Sequence, residues 1–387
     1  MADRTTFTGR ARQRRTKWSV RLADRVATWL ITVGGIGTIA AISGVCVYLL
    51  WTVLPLFMPA SLGDPVVAKR QPLPTTPVAM RVADSNGIAW AIDADGQVTV
   101  FRPDSGEVLK REPLAETGPQ PTAIVAGLDS DDVAIGFEDG TVKLGSVRFE
   151  TTFLDATGDA ADAFQKLRPG EQITSDAGVV LRTSQGLLRQ ETVVVEFTGE
   201  PVEISPGVAV RRLDTVDTDA GPVLLAWSDD GAARVATIGI REDLFTGEVT
   251  LEAGTVASLP ASKAPQGPPL FVGLAARAAG ASLVWPDGTL LRYDIRDKSA
   301  PSLIERSDLT DGEVRLTQVR NLIGRLTLLV GDSNGNVSAW FPVRSDDDPQ
   351  NADAAADTAA SQSSHLVKGH DLGDGPAAVA ALAPSSR

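Results

Sequence analysis

Two patterns of hydrophobic and polar positions divide the chain. From Val26 to Gly63 no residue carries a charge. A helix needs ~20 apolar residues to cross a hydrocarbon core, so this run predicts one transmembrane α-helix over 26–58, stopped by Pro55 and Pro59. Beyond residue 78 helical periodicity gives way to short apolar and β-branched runs between turn signals. Examples are VAMRVAD, GIAWAID, GQVTVFRP, DDVAIGF, GTVKLGSV, GPVLLAWSD, ARVATIGI, TLLRYDI and NVSAWFPV. Runs of this length and spacing predict antiparallel hairpins.

The turns recur at a fixed place in a longer unit, with a small polar residue before a glycine and a strand after it. The glycines are Gly96, Gly140, Gly186, Gly231, Gly288 and Gly335, with gaps of 44, 46, 45, 57 and 47 residues. A four-stranded propeller blade repeats every ~40–50 residues. The expected fold is therefore mainly β, a β-propeller-like domain with WD40- or PQQ-like repeats of about 45 residues, preceded by a single transmembrane α-helix. The units around Gly186 and before Gly288 fit least well, and a pair of β-sandwiches is the rival reading. The domain plan is a basic tail (1–25), the helix (26–58), a proline-rich linker (59–78), the repeat domain (79–344), a disordered acidic loop (345–364) and a further repeat or closing strand (365–387). A helix is expected near 159–167, in an insertion over 151–174. The last strand, 377–384, is expected to pair with an early blade or with sequence beyond this chain.

Within the apolar run Trp29 and Trp51 are 22 residues apart, roughly 33 Å of helix, which matches the separation of two membrane interfaces. Tyr48 joins Trp51 as an interface anchor. Gly37, Ala40, Ala41 and Gly44 form a face small enough for close helix packing.

Charge then orients the span. Eight basic and two acidic residues precede Val26, a net +6, so the formal −13 of the whole chain leaves −19 for the remainder. The positive-inside rule places the N-terminus in the cytoplasm and the repeat body outside. An acidic body argues against nucleic acid, and the basic tail suits anionic lipid. The lone cysteine, Cys46, lies in the span, so the exterior body holds no disulfide. A cleaved signal peptide is the rival reading of the N-terminus, but its apolar region is typically ~7–15 residues.

Candidate chemistry is sparse. Gly331-Asp332-Ser333-Asn334-Gly335 fits a nucleophile elbow, yet a strand pattern follows it where a helix is needed. Gly35-Ile36-Gly37-Thr38-Ile39-Ala40 fits the dinucleotide fingerprint only formally, since it lies in the apolar span. His365 and His370 lack a third ligand cluster for zinc, and Asp332, Asn334 and Asn336 lack the final glutamate of a calcium loop. The expectation is a non-enzymatic protein with no cofactor.

The segments Ile31–Gly37 (ITVGGIG) and Tyr48–Phe57 (YLLWTVLPLF), after a basic tail and before an acidic β-repeat region, resemble the enlarged permease subunit of bacterial phosphate ABC importers. The resemblance implies a first membrane helix leading to an extracytoplasmic propeller-like domain on the bacterial inner membrane. It implies as partners a permease bundle, an ATPase subunit and a phosphate-binding protein. No second apolar run of spanning length follows Pro59, so the expectation is an accessory, truncated or split permease subunit. The alternative is a membrane-anchored propeller scaffold or sensor in envelope assembly.

Overall fold

The computed structural model describes residues 18–54 and 76–383, apart from 115–117, 129, 155–163, 165, 176–177, 243–244, 248, 262–263, 311–313, 345–363 and 374. The chain divides into two units, Met1–Val67 and Ala68–Arg387.

In the first unit a helix of 36 residues, α1, runs Trp18–Val53. It begins before the apolar run because Arg21, Leu22, Ala23 and Arg25 are good helix formers, and long basic side chains at a span's end keep their charges in water. It ends just before Pro55. All its side chains are exposed. The hydroxyls of Thr28, Thr32, Thr38 and Thr52 donate to the carbonyls four residues back at 2.8–2.9 Å, which satisfies them without water.

The second unit holds five antiparallel sheets among the described residues. The first contains β1 (Pro77–Val82), β2 (Ala89–Asp93), β3 (Gln97–Phe101) and β4 (Val108–Pro113). The second contains β5 (Pro121–Ala126), β6 (Asp132–Phe137), β7 (Thr141–Leu154), β8 (Gln172–Ser175), β9 (Gly178–Arg182) and β10 (Leu188–Glu203), in the order β5-β6-β7-β10-β9-β8. The third contains β11 (Val210–Thr218), β12 (Gly221–Ser228), β13 (Ala233–Glu242) and β14 (Val249–Ser258). The fourth contains β15 (Phe271–Leu274), β16 (Gly280–Val284), β17 (Thr289–Asp294) and β18 (Ser302–Asp308). The fifth contains β19 (Leu316–Asn321), β20 (Leu328–Asp332), β21 (Val337–Arg344) and β22 (Ser364–Gly373). Each sheet is a propeller blade whose strands follow chain order, with one hairpin inserted into the second.

The cores lie between blades. Trp90 and Ile92 of the first pack with Val133 and Ile135 of the second. Val142 and Ile204 meet Val210 and Leu224 of the third. Leu225 and Trp227 meet Leu274 and Leu283 of the fourth, and Val284 and Leu290 meet Leu316 and Val330 of the fifth. At about 1.5–3 kcal/mol for each large apolar side chain buried, this stacking holds the domain together without disulfides.

A recurrent link joins each turn to the chain leaving its blade. Leu114 N–H donates to Gly96 O at 2.7 Å, Ile204 to Gly140 at 3.1 Å, Leu309 to Gly288 at 2.9 Å and Gly375 to Gly335 at 2.9 Å, while in the third blade Leu259 donates to Ala233 at 2.8 Å.

Several sequence expectations change. Gly186 does turn a hairpin, but it joins β9 to β10, which extend the second sheet. The gaps on either side of it therefore measure an insertion and not a blade. The extension lies over the first blade, where Thr174 Oγ1 donates to Glu107 at 3.3 Å and Ser85 bonds Glu191. Residues 364–373 form β22, the fourth strand of the fifth blade, and start no further repeat. Among the described residues, the hydrogen bonds of the terminal stretch around Val379 run to the fifth blade. Val379 N–H donates to Asp332 O at 3.0 Å and its carbonyl accepts from Thr317 Oγ1 at 2.8 Å. The proline-rich linker to residue 75, the acidic loop 345–363 and most of 159–167 lie outside the described residues.

Candidate binding surfaces of the propeller and the helix

Each blade's first strand is the end strand of its sheet. Together β1, β5, β11, β15 and β19 line an axial cavity of about 470 Å³, with Val78, Ile124, Arg212, Asp214, Phe271 and Arg320 on its wall. Hydrogen-bonding edges and alternating side chains thus face one space, which the period-2 geometry of strands imposes.

The cavity is braced by a residue from a turn. Arg325, in the β19–β20 hairpin, has φ +54, a conformation that costs a non-glycine residue about 1 kcal/mol or more. Its guanidinium reaches β11, where Nη1 donates to Asp214 Oδ2 at 2.7 Å and Nη2 to Thr215 O at 2.9 Å. Asp214 also accepts the N–H groups of Leu274 at 2.7 Å and Thr215 at 2.9 Å. Asn321 donates to Leu274 O at 3.3 Å. One carboxylate therefore joins β11, β15 and the turn after β19. Burial pushes the Asp214 carboxyl up from its ordinary value, and Arg325 opposes that shift.

A second cavity, about 350 Å³, opens between the fourth and fifth blades beside Ala276, Leu328 and Leu366. Its charges are paired. Arg292 Nη1 sits 2.5 Å from Glu305, and Glu305 also accepts Leu366 N–H at 3.0 Å. Arg296 pairs with Asp294 at 2.5 Å. Tyr293 donates to Pro260 O at 3.1 Å, and burial pushes its phenol up to about 12.

The residues singled out from the sequence fall in three places. Gly96, Gly140, Gly231, Gly288 and Gly335 each lie between the second and third strands of a blade. Trp29, Tyr48 and Trp51 are exposed on α1, and a Cβ added at Gly37 or Gly44 would meet nothing within 4 Å. Ala41 is exposed on the same helix. Ser333 sits in an exposed turn leading into β21, not a helix. Asp332 takes up its own turn: Oδ1 accepts Asn334 N–H at 2.8 Å and Asn336 N–H at 2.9 Å, and Oδ2 accepts Asn336 Nδ2 at 2.8 Å. His365 and His370 are on β22. Among the described residues no group of three or more His, Cys, Asp or Glu side chains is placed to hold a metal.

The Arg325–Asp214 brace and the cavity arginines were missed by sequence reading. Charged residues in turns and on strands of an acidic chain resemble solvated surface, and no spacing rule joins positions in different blades.

No known protein family matches the sequence, and no curated protein matches it. Solved structures do. The chain is similar to the β-propeller domain of Cps50 (Swd1) from Myceliophteria thermophila, at 10% identity over 79% of this chain and 75% of that one, with a TM-score of 0.41. It is also similar to Sqt1 from Chaetomium thermophilum, at 12% identity over 76% of this chain and 59% of that one, TM-score 0.35. A third is the C-terminal WD40 domain of Sif2, at 12% identity over 70% and 69%, TM-score 0.34. The fold is mainly β and propeller-like, with one apolar helix ahead of it in the sequence.

Proposed function

We propose that the chain is a membrane-anchored propeller that docks other proteins outside the cytoplasm, without catalysis, and that its setting is the permease of a phosphate importer. The observation that carries the anchored module is α1: a 36-residue helix, uncharged from Val26 onward and exposed on every side, in a chain whose other described unit is a propeller. A soluble protein does not leave such a helix uncovered, whereas lipid and partner helices would cover it. The basic residues before Val26 support an inward N-terminus. Trp29, Tyr48 and Trp51 would sit at the interfaces, and Gly37, Ala41 and Gly44 would meet a partner helix.

The transporter setting rests on the likeness of ITVGGIG and YLLWTVLPLF to that permease subunit. Its partners would be a permease bundle, an ATPase subunit and a phosphate-binding protein in the bacterial inner membrane. Crosslinking in native membranes followed by purification tests it. Recovery of those components, reduced by Gly37→Leu and Gly44→Leu, is the expected result. Recovery of envelope-assembly proteins with no transporter component would replace this setting by a scaffold or sensor. Because Cys46 is the only cysteine, a Cys46→Ser, Ser299→Cys variant reports topology: an impermeant thiol reagent should label it in intact cells.

A further inference from the structure

The axial cavity carries a charge pattern opposite to that of the body around it. Everything after residue 25 has a formal charge of −19, yet the cavity wall holds Arg211, Arg212, Arg320 and Arg325 against one carboxylate, Asp214. Two of the four arginines are matched. Arg325 pairs with Asp214 as described, and Arg211 makes a two-point contact with Asp229 at 2.8 and 2.6 Å. The other two face no carboxylate: among the described residues neither Arg212 nor Arg320 forms an ion pair. Arg212 donates through Nη1 to the carbonyl of Arg211 at 3.0 Å, which leaves most of its donors free. Partial desolvation at the cavity wall, and next the charge of Arg320, hold the Arg212 guanidinium below its ordinary value, while both residues stay open to solvent.

We propose that the axial cavity binds a small oxyanion of the carboxylate or phosphate class between Arg212 of β11 and Arg320 of β19. A guanidinium is a planar fork that matches two oxygens of such a group, and two forks from the inner strands of the third and fifth blades, on the wall of one cavity, can grip one anion from two sides. Gln318, two residues before Arg320 on the same strand and on the same cavity wall, adds a side-chain amide. The volume of about 470 Å³ lies within the ~300–1,000 Å³ range of small-molecule sites. The positive sign at the centre of a negative body focuses the field on the cavity. The inference does not rest on the transporter setting: a scaffold with this cavity would bind the same class of anion.

The test is calorimetry on the full chain in detergent, titrated with inorganic phosphate and separately with succinate, with chloride at matched ionic strength as control. Saturable binding of phosphate, succinate or both, and not of chloride, is expected; which of the two binds tells a phosphate site from a carboxylate site. Arg212→Gln and Arg320→Gln should each weaken binding at least tenfold, while Arg148→Gln, at a peripheral pair with Glu196, should leave it unchanged. Arg212→Lys keeps the charge without the fork and should weaken binding less than Arg212→Gln. A folded protein that binds neither anion above the chloride control, or binding that survives in the folded double Gln variant, would overturn the proposal. Should a Gln variant unfold, the Lys variant and the anion-dependent rise in melting temperature of the unmodified chain decide it.

Discussion

Arg325 and Asp214 stand 111 residues apart in the chain and 2.7 Å apart in the fold, with side chains only 7% and 9% exposed. The pair fastens the fifth blade to the third across the axis of the propeller. A buried pair gains little over a matched apolar pair, but breaking it strands a charge in a poorly solvated site. Arg325→Met should therefore lower unfolding free energy by about 3–5 kcal/mol. Joining it to Asp214→Leu should recover part of that loss, because the stranded carboxylate is then gone. Denaturant unfolding of the single and double variants measures both. A single variant as stable as the parent would show that the brace carries no stability.

Thr317 and Thr122 make the same contact in different blades. Thr122 Oγ1 donates to Val210 O at 2.7 Å, where β11 begins, and Thr317 Oγ1 donates to Val379 O at 2.8 Å. The likeness extends to shape, since a Cβ on Gly136 would meet Val210 at 2.6 Å and one on Gly331 would meet Val379 at 2.7 Å. Val379 thus occupies against the fifth blade the place that the third blade's first residue takes against the second. Thr122→Val and Thr317→Val should each cost about 1–2 kcal/mol by leaving a carbonyl unpaired. Removing residues 375–387 should lower the melting temperature and increase protease cleavage near β19 and β20. Equal melting curves for the full and shortened chains would mean that the terminal segment does not hold the fifth blade.

Gly140 and Gly186 have nearly equal φ, +88 and +86, and very different surroundings. A Cβ on Gly140 would lie 1.7 Å from Ser205 O, whereas one on Gly186 would meet nothing within 4 Å. Gly186→Ala should cost only the left-handed conformation, about 1–2 kcal/mol. Gly140→Ala adds a backbone clash in the tie to the next blade, so its loss should be clearly larger. Thermal unfolding of the two alanine variants compares them directly.

That same pair marks how far the sequence was legible. Any tight hairpin that needs a positive φ selects glycine after a small polar residue, so Gly96, Gly140, Gly231, Gly288 and Gly335 announced the blades. Gly186 announced a hairpin of equal local chemistry in an insertion, and only pairing of β10 with β7 and β9 tells the two apart. The segment after the acidic loop reads equally as a closing strand or as the start of a further repeat, because a long insertion hides that β22 returns beside β21. The helix extends on the N-terminal side of its apolar run, through Arg21 and Arg25, because helix propensity and not hydrophobicity governs those positions. The cavity arginines were not legible at all, since their meaning depends on which carboxylates the fold brings near them.

Tyr293 gives a prediction in pH. It is buried, its hydroxyl donates to Pro260 O, and its phenol is pushed up to about 12 from an ordinary 10.0. The folded state therefore binds the phenolic proton more tightly than the unfolded state does. The resulting stabilisation is fully present below pH 10.0 and is lost as pH rises toward 12, a change of about 3 kcal/mol. Tyr48 is the only other tyrosine, so a Tyr48→Phe chain reports Tyr293 alone through tyrosinate absorbance. Ionisation should lag well above the free phenol value, or coincide with unfolding. Tyr293→Phe should lose about 1 kcal/mol at neutral pH from the unpaired carbonyl, and its stability should fall less steeply between pH 10 and 12 than the parent's. Parallel curves for the two proteins across that interval, or tyrosinate formation centred at the free phenol value in the folded protein, would contradict a buried, protonated Tyr293.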